Sequence, residues 1–426
     1  MTVRLISRCC SGLISTGVLA ASLIFSPSAI GEVHLRAFMG GQHRPDVMRG
    51  ILKEYMADNP GVTVSLEVGG ATSELHQRYL STVLTARDES IDAFLIDIIR
   101  PAQFAAAGWA EPLDKFLGDE RETVRNQYLE GYRNANTVEG KTVALPGFAD
   151  AMFLFYRKDL LSKYGEVVPK TWPELARVAR KILDGEGNRS LQGLSFQAKA
   201  VEGAVCSFLL PYWSLGGEVV RDGKMSFERA KAEASLRMWR QMVTEGIAKP
   251  NVAEVATDDT RKEFQAGRVI FGVGWGYAWN HFQSDADSKV AGKVGVATLP
   301  AMAGGKSVTC SGGWSWAVSA FSRHKAEAAK LVRYLTSPIV AQQLAVRASL
   351  HPAIASVYRD PEVLKSVPWF ADALPIIETA RARPVTPMYR PISDALRINF
   401  NTVMAGVRTP DEALDEIEHR IQRALR

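Results

Sequence analysis

Between positions 33 and 98, stretches in which hydrophobic residues recur at every second position alternate with stretches in which they recur about every 3.6 positions. Val33–Met39 and Val62–Val68 alternate apolar and polar positions, which predicts two strands. Ala93–Ile98 is almost wholly apolar, as expected of a parallel strand covered on both faces. Between these three runs, apolar pairs recur at helical spacing. The β-α-β-α-β order predicts a doubly wound parallel sheet.

The pattern then changes to a second α/β unit that is richer in helix. Met152–Tyr156 is a strongly apolar run and is predicted to begin a second sheet. Thr171 and Glu174 form a capping box with Pro in the first turn, which predicts a helix to about Leu183.

Phe271–Phe282, F-G-V-G-W-G-Y-A-W-N-H-F, follows an apolar run typical of a strand. Trp275, Tyr277 and Trp279 stand at alternate positions among glycines, which leave room for free-standing rings. A second cluster of glycines and aromatics lies at Cys310–Trp316. Flat apolar rings with polar edges suit a ligand with one apolar face and a rim of hydroxyls, such as a sugar. The alternative is that these rings are core residues on a strand.

Two carboxylates lie next to buried strands. Asp97 is near the carboxyl end of Ala93–Ile98, and Asp150 precedes the Met152–Tyr156 run. Ligands of open α/β sheets bind at this edge. The alternative for Asp97 is a helix cap for the segment that begins at Pro101.

Residues 1–31 have the anatomy of a secretory signal peptide. Arg4 and Arg8 precede an apolar core, Leu13–Phe25, and small residues then stand at Ala29 and Gly31. We therefore expect a freely soluble exported protein that begins at about residue 32. No later stretch approaches the length of a transmembrane helix.

Only two cysteines follow this segment. Cys206 falls in an apolar helical pattern, so we expect it to be a small buried side chain rather than half of a bridge to Cys310, although pairing stays open.

Composition excludes several classes of function. The 426 residues are 46% hydrophobic and 23% charged, with a formal charge of +5 and no dense Lys/Arg run for nucleic acid. Nucleotide-binding, hydrolase and zinc-protease motifs are missing, and the histidines have no metal-ligand spacing. We expect no cofactor and no metal. Asp97 and Asp150 leave open the acid–base pair of a secreted glycosidase.

Five motifs resemble those of one family, in that family's order. The chain is similar to the extracellular solute-binding proteins of sugar ABC transporters, and closest to their trehalose/maltose-binding branch. The motifs are Asp97–Asp114, Ala144–Gly165, Trp275–Trp279, Gly312–Trp314 and Arg383–Tyr389.

The resemblance implies a type II periplasmic binding protein fold, with two α/β lobes around a ligand cleft. One lobe would take residues 32–145 and 300–350, and the other 146–299 and 351–426. The lobes of such proteins close on the ligand by hinge motion. It further implies a binding protein without catalytic activity.

The resemblance also implies a ligand site. Asp97 and Asp150 would face each other across the cleft and accept hydrogen bonds from vicinal hydroxyls. The rings of Trp275, Tyr277 and Trp314 would stack on the sugar. Gly313 would let a backbone N–H approach the ligand, and Arg383 would donate to ligand oxygens. Four more would reach or line the site: Gly41, Thr72, Arg78 and Phe148.

The implied function is the capture of a di- or oligosaccharide, an α-glucoside such as trehalose or maltose, by a periplasmic monomer. The partners would be the permease subunits and, through them, the ATPase subunits. One departure from the branch is that Gly41 is followed by Gln42-His43-Arg44 before the first acid, Asp46. Another is Ser349-Leu350-His351-Pro352 in place of a more Gly-containing turn. A polyamine or a phosphorylated polyol on the same fold is the alternative ligand.

Overall fold

The computed structural model describes residues 32–70 and 72–426, so the predicted signal peptide lies outside the described residues. The strands are β1 (Val33–Met39), β2 (Val62–Val68), β3 (Ala93–Asp97), β4 (Thr137–Val138), β5 (Lys141–Thr142), β6 (Leu145–Arg157), β7 (Gln192–Ser195), β8 (Val220–Arg221), β9 (Lys224–Met225), β10 (Val269–Trp275), β11 (Val294–Ala297) and β12 (Ser311–Val318).

The helices surround these strands. They are α1 (Pro45–Asp58), α2 (Ser73–Thr85), α3 (Pro101–Ala106), α4 (Asp114–Leu117), α5 (Arg121–Asn126), α6 (Glu130–Ala135), α7 (Lys158–Lys163), α8 (Trp172–Glu186), α9 (Glu202–Ser214), α10 (Arg229–Thr244), α11 (Thr257–Gln265), α12 (Ala278–Ser284), α13 (Lys325–Leu335), α14 (Pro338–Ala348), α15 (Pro361–Ser366), α16 (Phe370–Glu378), α17 (Tyr389–Met404) and α18 (Pro410–Ala424).

The predicted β-α-β-α-β unit is confirmed. Strands β2, β1 and β3 are adjacent in that order, and β1 pairs in parallel with both neighbours. The sheet as a whole is mixed rather than parallel. Strand β12 runs antiparallel to β3, and β6 runs antiparallel to β12. Strand β12, which comes from much later in the chain, therefore extends the sheet beyond its parallel part with the opposite direction.

Strand β6 belongs to both halves of the molecule. Its first part, up to Ala151, pairs with β12, and its second part, from Met152, pairs with β10 and β11. Strand β7 completes the second half by pairing in parallel with β10. The halves thus share one continuous strand at a crossing point. The predicted division at 145/146, 299/300 and 350/351 stays a prediction.

Local signals define the starts of two helices, and that of α8 is as predicted. Thr171 caps α8 in a capping box: its hydroxyl oxygen accepts from the backbone N–H of Glu174, and the Glu174 carboxylate accepts from the backbone N–H of Thr171. Thr409 and Glu412 make the same arrangement at α18. The two side chains of such a cap are three positions apart, so the sequence alone locates the starts of these two helices.

The prediction for the aromatic stretch was wrong in part. Trp275 ends β10, but Tyr277 directly precedes α12 and Trp279 lies within that helix, where its ring packs 5.0 Å from Trp369. Alternate residues share a face only in a strand. The chain turns at Gly276, so the three rings do not form one platform.

The expectation for the cysteines was also wrong. Cys206 on α9 and Cys310, just before β12, form a disulfide that joins residues 104 positions apart. Cys206 is buried in a helix, as predicted. Its partner could not be read from the helical pattern, because the pattern reports which side of a helix is buried and not what covers it. Among the described helices, none is long and apolar enough to cross a bilayer.

Loss of this disulfide should lower stability. A closed loop of about one hundred residues restricts the unfolded chain, and opening it costs about 3–5 kcal/mol in the chain-entropy model. The Cys206→Ser/Cys310→Ser variant should therefore unfold at a lower urea concentration than the oxidised wild type, as measured by circular dichroism. Reduced wild type is the matched control and should resemble the variant. Equal midpoints for all three would contradict the assignment.

Candidate functional site

Strand β12 brings both predicted carboxylates to one place. It lies between β3 and β6, so that Trp314 is opposite Asp97 on one side and Gly312 is opposite Asp150 on the other. Asp97 and Asp150 are both buried. The two acids therefore flank the same short segment of β12, although they are more than fifty residues apart in sequence.

The two clusters of glycines and aromatics meet at this point. A Cβ atom built on Gly312 would lie 2.3 Å from Cζ3 of Trp275, so the Trp275 ring occupies the space that a side chain at 312 would need. Next to this ring, the backbone N–H of Gly276 donates to Oδ1 of Asp150 at 2.8 Å. The absence of a side chain at Gly312 is thus a packing requirement of the site.

The Asp150 carboxylate is held by backbone donors. Oδ1 also accepts from the N–H of Ala151 at 2.8 Å. The hydroxyl of Tyr132 fixes the backbone on the other side, since it donates to the Asp150 carbonyl at 2.8 Å. Burial nevertheless dominates, and it raises the pKa of Asp150 from 3.8 to about 7. Near neutral pH this group can either accept or donate a hydrogen bond.

Asp97 is held by side chains instead. The hydroxyl of Ser73, at the start of α2, donates to Oδ2 at 2.8 Å, and Arg383 approaches Oδ1 at 3.3 Å. Asp97 does not cap the following helix: the residue before α3 is Arg100, and no side-chain cap is present there. The alternative interpretation of Asp97 as a helix cap was therefore wrong.

Arg383 is a buried cation with partners on two sides. It is only 4% exposed, and its Nη1 lies 2.9 Å from Oε1 of Glu202, while Nη2 contacts Asp97 and donates to the Ser311 carbonyl at 3.4 Å. Glu202 accepts further bonds from Ser393, at 2.7 Å, and from the hydroxyl of Tyr389. Both Nη atoms are thus used within the protein.

Trp314 lies among two histidine rings that the sequence analysis did not assign to the site and Phe148, which it did. The centroids of His43 and His76 lie 4.1 Å and 5.1 Å from the Trp314 ring, and Phe148 lies 5.6 Å from His43. Burial lowers the pKa of His76 to about 4, and burial and then His76 itself lower that of His43. This wall of the site is therefore neutral at physiological pH.

Comparisons with known proteins agree with this geometry. A model of bacterial extracellular solute-binding proteins matches residues 41–342. A probable ABC transporter-binding protein of Deinococcus radiodurans is 36% identical over 380 residues, which cover 86% of this chain and 88% of that protein. The chain belongs to the bacterial extracellular solute-binding protein family.

Solved structures show the same fold. Maltose-bound MalE3 of T. maritima is 31% identical, with a TM-score of 0.86 over 92% of this chain and 99% of that one. Among relatives found by sequence, the mannitol-binding protein of Pseudomonas aeruginosa is 24% identical over 377 residues, which cover 83% of this chain and 84% of that protein. The predicted two-lobed fold is thus confirmed, and Asp150 lies on β6, the strand that the two halves share. The family consists of binding proteins rather than enzymes.

Gly313 of this solute-binding protein has a packing role that the sequence analysis did not predict. Gly313 has φ +127°, and a Cβ there would lie 2.6 Å from the Phe148 carbonyl oxygen and 2.9 Å from the Tyr132 ring. Close packing of β12 on β6 is therefore sufficient reason for glycine. A ligand contact by its N–H stays a prediction.

Tyr277 and three residues from the first lobe are less closely joined to the carboxylates. The half-buried Tyr277 faces a small pocket that includes Arg261. Thr72 caps α2 by accepting from the N–H of Leu75, and Gly41 is exposed at the end of β1. Arg78 is exposed on α2. Their roles in binding stay predictions.

Glu202 is the residue that sequence reasoning missed most clearly. It directly precedes an apolar helical run, Gly203–Leu215, and a lone acid at such a position is usually a solvated helix start. Here it is buried and carries three side-chain bonds. The signal in the sequence that could have identified Glu202 is a single acid next to an apolar helical run. Among the described residues, no acid, histidine or cysteine cluster could hold a metal ion.

Asp150 should make stability depend on pH. Its pKa in the folded protein is about 7, above the unfolded value of 3.8, so its contribution is complete below about pH 4 and is lost as the pH rises through 7. Relative to Asp150→Asn, the unfolding free energy of the wild type should fall by up to about 4 kcal/mol between pH 4 and 8. Urea denaturation at several pH values measures this difference. Parallel profiles for the two proteins would show that burial does not raise the pKa of Asp150.

Proposed function

We propose that this protein is the substrate-binding subunit of an ABC importer for a neutral sugar or polyol. One observation carries the proposal. Two separate clusters of glycines and aromatics and two buried carboxylates come together around β12, where Gly312 contacts Trp275 and Trp314 pairs with Asp97. Aromatic faces and carboxylates in one place match the alternation of C–H faces and hydroxyl edges on a carbohydrate.

The charges at this place favour a neutral ligand. Arg383 already pairs with both Asp97 and Glu202, so neither carboxylate is free for the ammonium groups of a polyamine. A phosphorylated ligand would need several free guanidinium donors, but both Nη atoms of Arg383 have protein acceptors, which leaves this side chain the single donor at Nε. Hydroxyls suit the remaining groups better, since Asp150 can bind them as an acceptor or, when protonated, as a donor.

Similar proteins support this class of ligand. One solved relative is described as maltose-bound, and another relative is named a mannitol-binding protein. The more similar of these two, at 31% identity, carries the disaccharide. An α-glucoside such as maltose or trehalose is therefore our first candidate, and a linear polyol such as mannitol is the second.

The remaining parts of the proposal concern location and partners. The family is extracellular, which supports export into the periplasm by cleavage near residue 32. The bound sugar would pass from this monomer to two permease subunits energised by ATPase subunits. A protein that captures a ligand without transforming it needs only to release that ligand from its closed lobes. An affinity near −8 kcal/mol, in the micromolar range, would suit that cycle.

A ligand panel tests the proposed class. The protein from residue 32 should unfold at a higher temperature with maltose, trehalose or mannitol, because a ligand at one hundred times its Kd adds about 2.7 kcal/mol. Spermidine and sugar phosphates are the comparison compounds, and released reducing sugar is assayed alongside. A shift with charged compounds alone, or turnover of an α-glucoside, would refute the proposal.

Trp314→Ala tests the site. Loss of the ring removes the apolar face beside Asp97, so affinity for the best compound of the panel should fall at least one hundredfold by calorimetry, while circular dichroism still shows a folded protein. Trp109→Ala is the matched control: that ring packs on Phe104, 5.3 Å away in the first lobe, and its loss should leave affinity unchanged. Equal affinity in both variants would contradict the assignment.

A further inference from the structure

Helix α9 has no N-terminal cap from its own segment. The residue at the cap position is Val201, whose side chain cannot accept a hydrogen bond, and no side-chain cap is present. The first N–H groups of a helix need an acceptor from elsewhere. Here the carboxylate of Glu74 accepts from the backbone N–H of Glu202, the first residue of α9.

This bond joins the two halves of the molecule. Glu74 is in the first turn of α2, and Leu80 and Leu84 of that helix pack with Phe38 and Phe94 of β1 and β3. Helix α9 instead packs on α10 in the other half, where Trp239 donates to the Ser207 carbonyl at 2.8 Å. A first-lobe carboxylate thus caps a second-lobe helix across the cleft.

The capped residue is held firmly on its own side. The Glu202 side chain accepts from the hydroxyl of Ser393 on α17, a helix of the same half whose Phe400 packs against Phe208 of α9. The backbone N–H of Glu202 therefore cannot follow α2 if the lobes separate. Opening must break the bond to Glu74 and leave α9 uncapped.

We propose that Glu74 is a positioning residue, which stabilises the closed arrangement of the lobes by capping α9 across the cleft. The ligand binds to the closed form, so ligand affinity rises with the stability of that form. The cap therefore increases ligand affinity, although Glu74 is not among the predicted ligand contacts. This proposal rests on the proposed function, in that closure is taken to accompany binding.

The chemistry of the cap distinguishes two substitutions. Alanine removes the acceptor, whereas glutamine keeps an amide oxygen in its place. Burial, and then the Glu202 carboxylate, raise the pKa of Glu74. The ionised form of Glu74 is therefore less favourable in this position than in water. Glu74→Gln should therefore retain the cap, and Glu74→Ala should lose it.

The first measurement is affinity and dissociation rate with maltose, or with mannitol or spermidine if the panel selects one of them. Glu74→Ala should weaken binding about tenfold, mainly through faster dissociation. Glu74→Gln should remain within about threefold of wild type. Glu89→Ala, which removes an acid that pairs with Arg323, is the charge-matched control and should bind as wild type. Equal affinity of Glu74→Ala and this control would overturn the proposal.

The second measurement does not depend on the identity of the ligand. Without a ligand, the closed fraction of the protein should already make exchange of the amides at 202–205 faster in Glu74→Ala than in Glu89→Ala, and maltose should enlarge this difference, while amides near the middle of α9 stay protected. Faster exchange without any ligand binding would support the cap and refute the sugar-binding proposal. Identical exchange in the two variants under both conditions would overturn the cap itself.

Discussion

The buried guanidinium of Arg383 is the interaction on which the centre of the molecule depends. It contacts Asp97 from the parallel sheet, Glu202 from α9 and the carbonyl of Ser311 on β12. A buried ion pair that loses one partner leaves an uncompensated charge, which costs about 3–5 kcal/mol. Each of these segments is therefore constrained to the position that keeps the others paired.

Strand β12 adds a steric constraint to this electrostatic one. Gly312 leaves space for the Trp275 ring, and Gly313 lets the strand approach the Phe148 carbonyl. Larger residues would separate β12 from its neighbours and would move Trp314 away from Asp97. The site thus depends on close backbone packing as much as on the side chains that would meet a ligand.

The sequence located the carboxylates well and the aromatic residues less well. Asp97 and Asp150 were predicted from their places at the ends of apolar runs, which depend only on neighbouring residues. The prediction for Trp275, Tyr277 and Trp279 assumed that one period continues through the segment. The backbone instead changes from strand to helix at Gly276, and a glycine permits either course, so the pattern could not decide between them.

Local physical chemistry explains what the sequence determined by itself: the alternation of β1 and β2, the capping boxes of α8 and α18, and the family motifs. All of these depend on residues a few positions apart. The tertiary structure alone decided the pairing of Cys206 with Cys310 and the bond from Glu74 to α9. Such contacts join residues more than one hundred positions apart. Periodicity shows which side chains are buried, but the packing of whole elements determines what they meet.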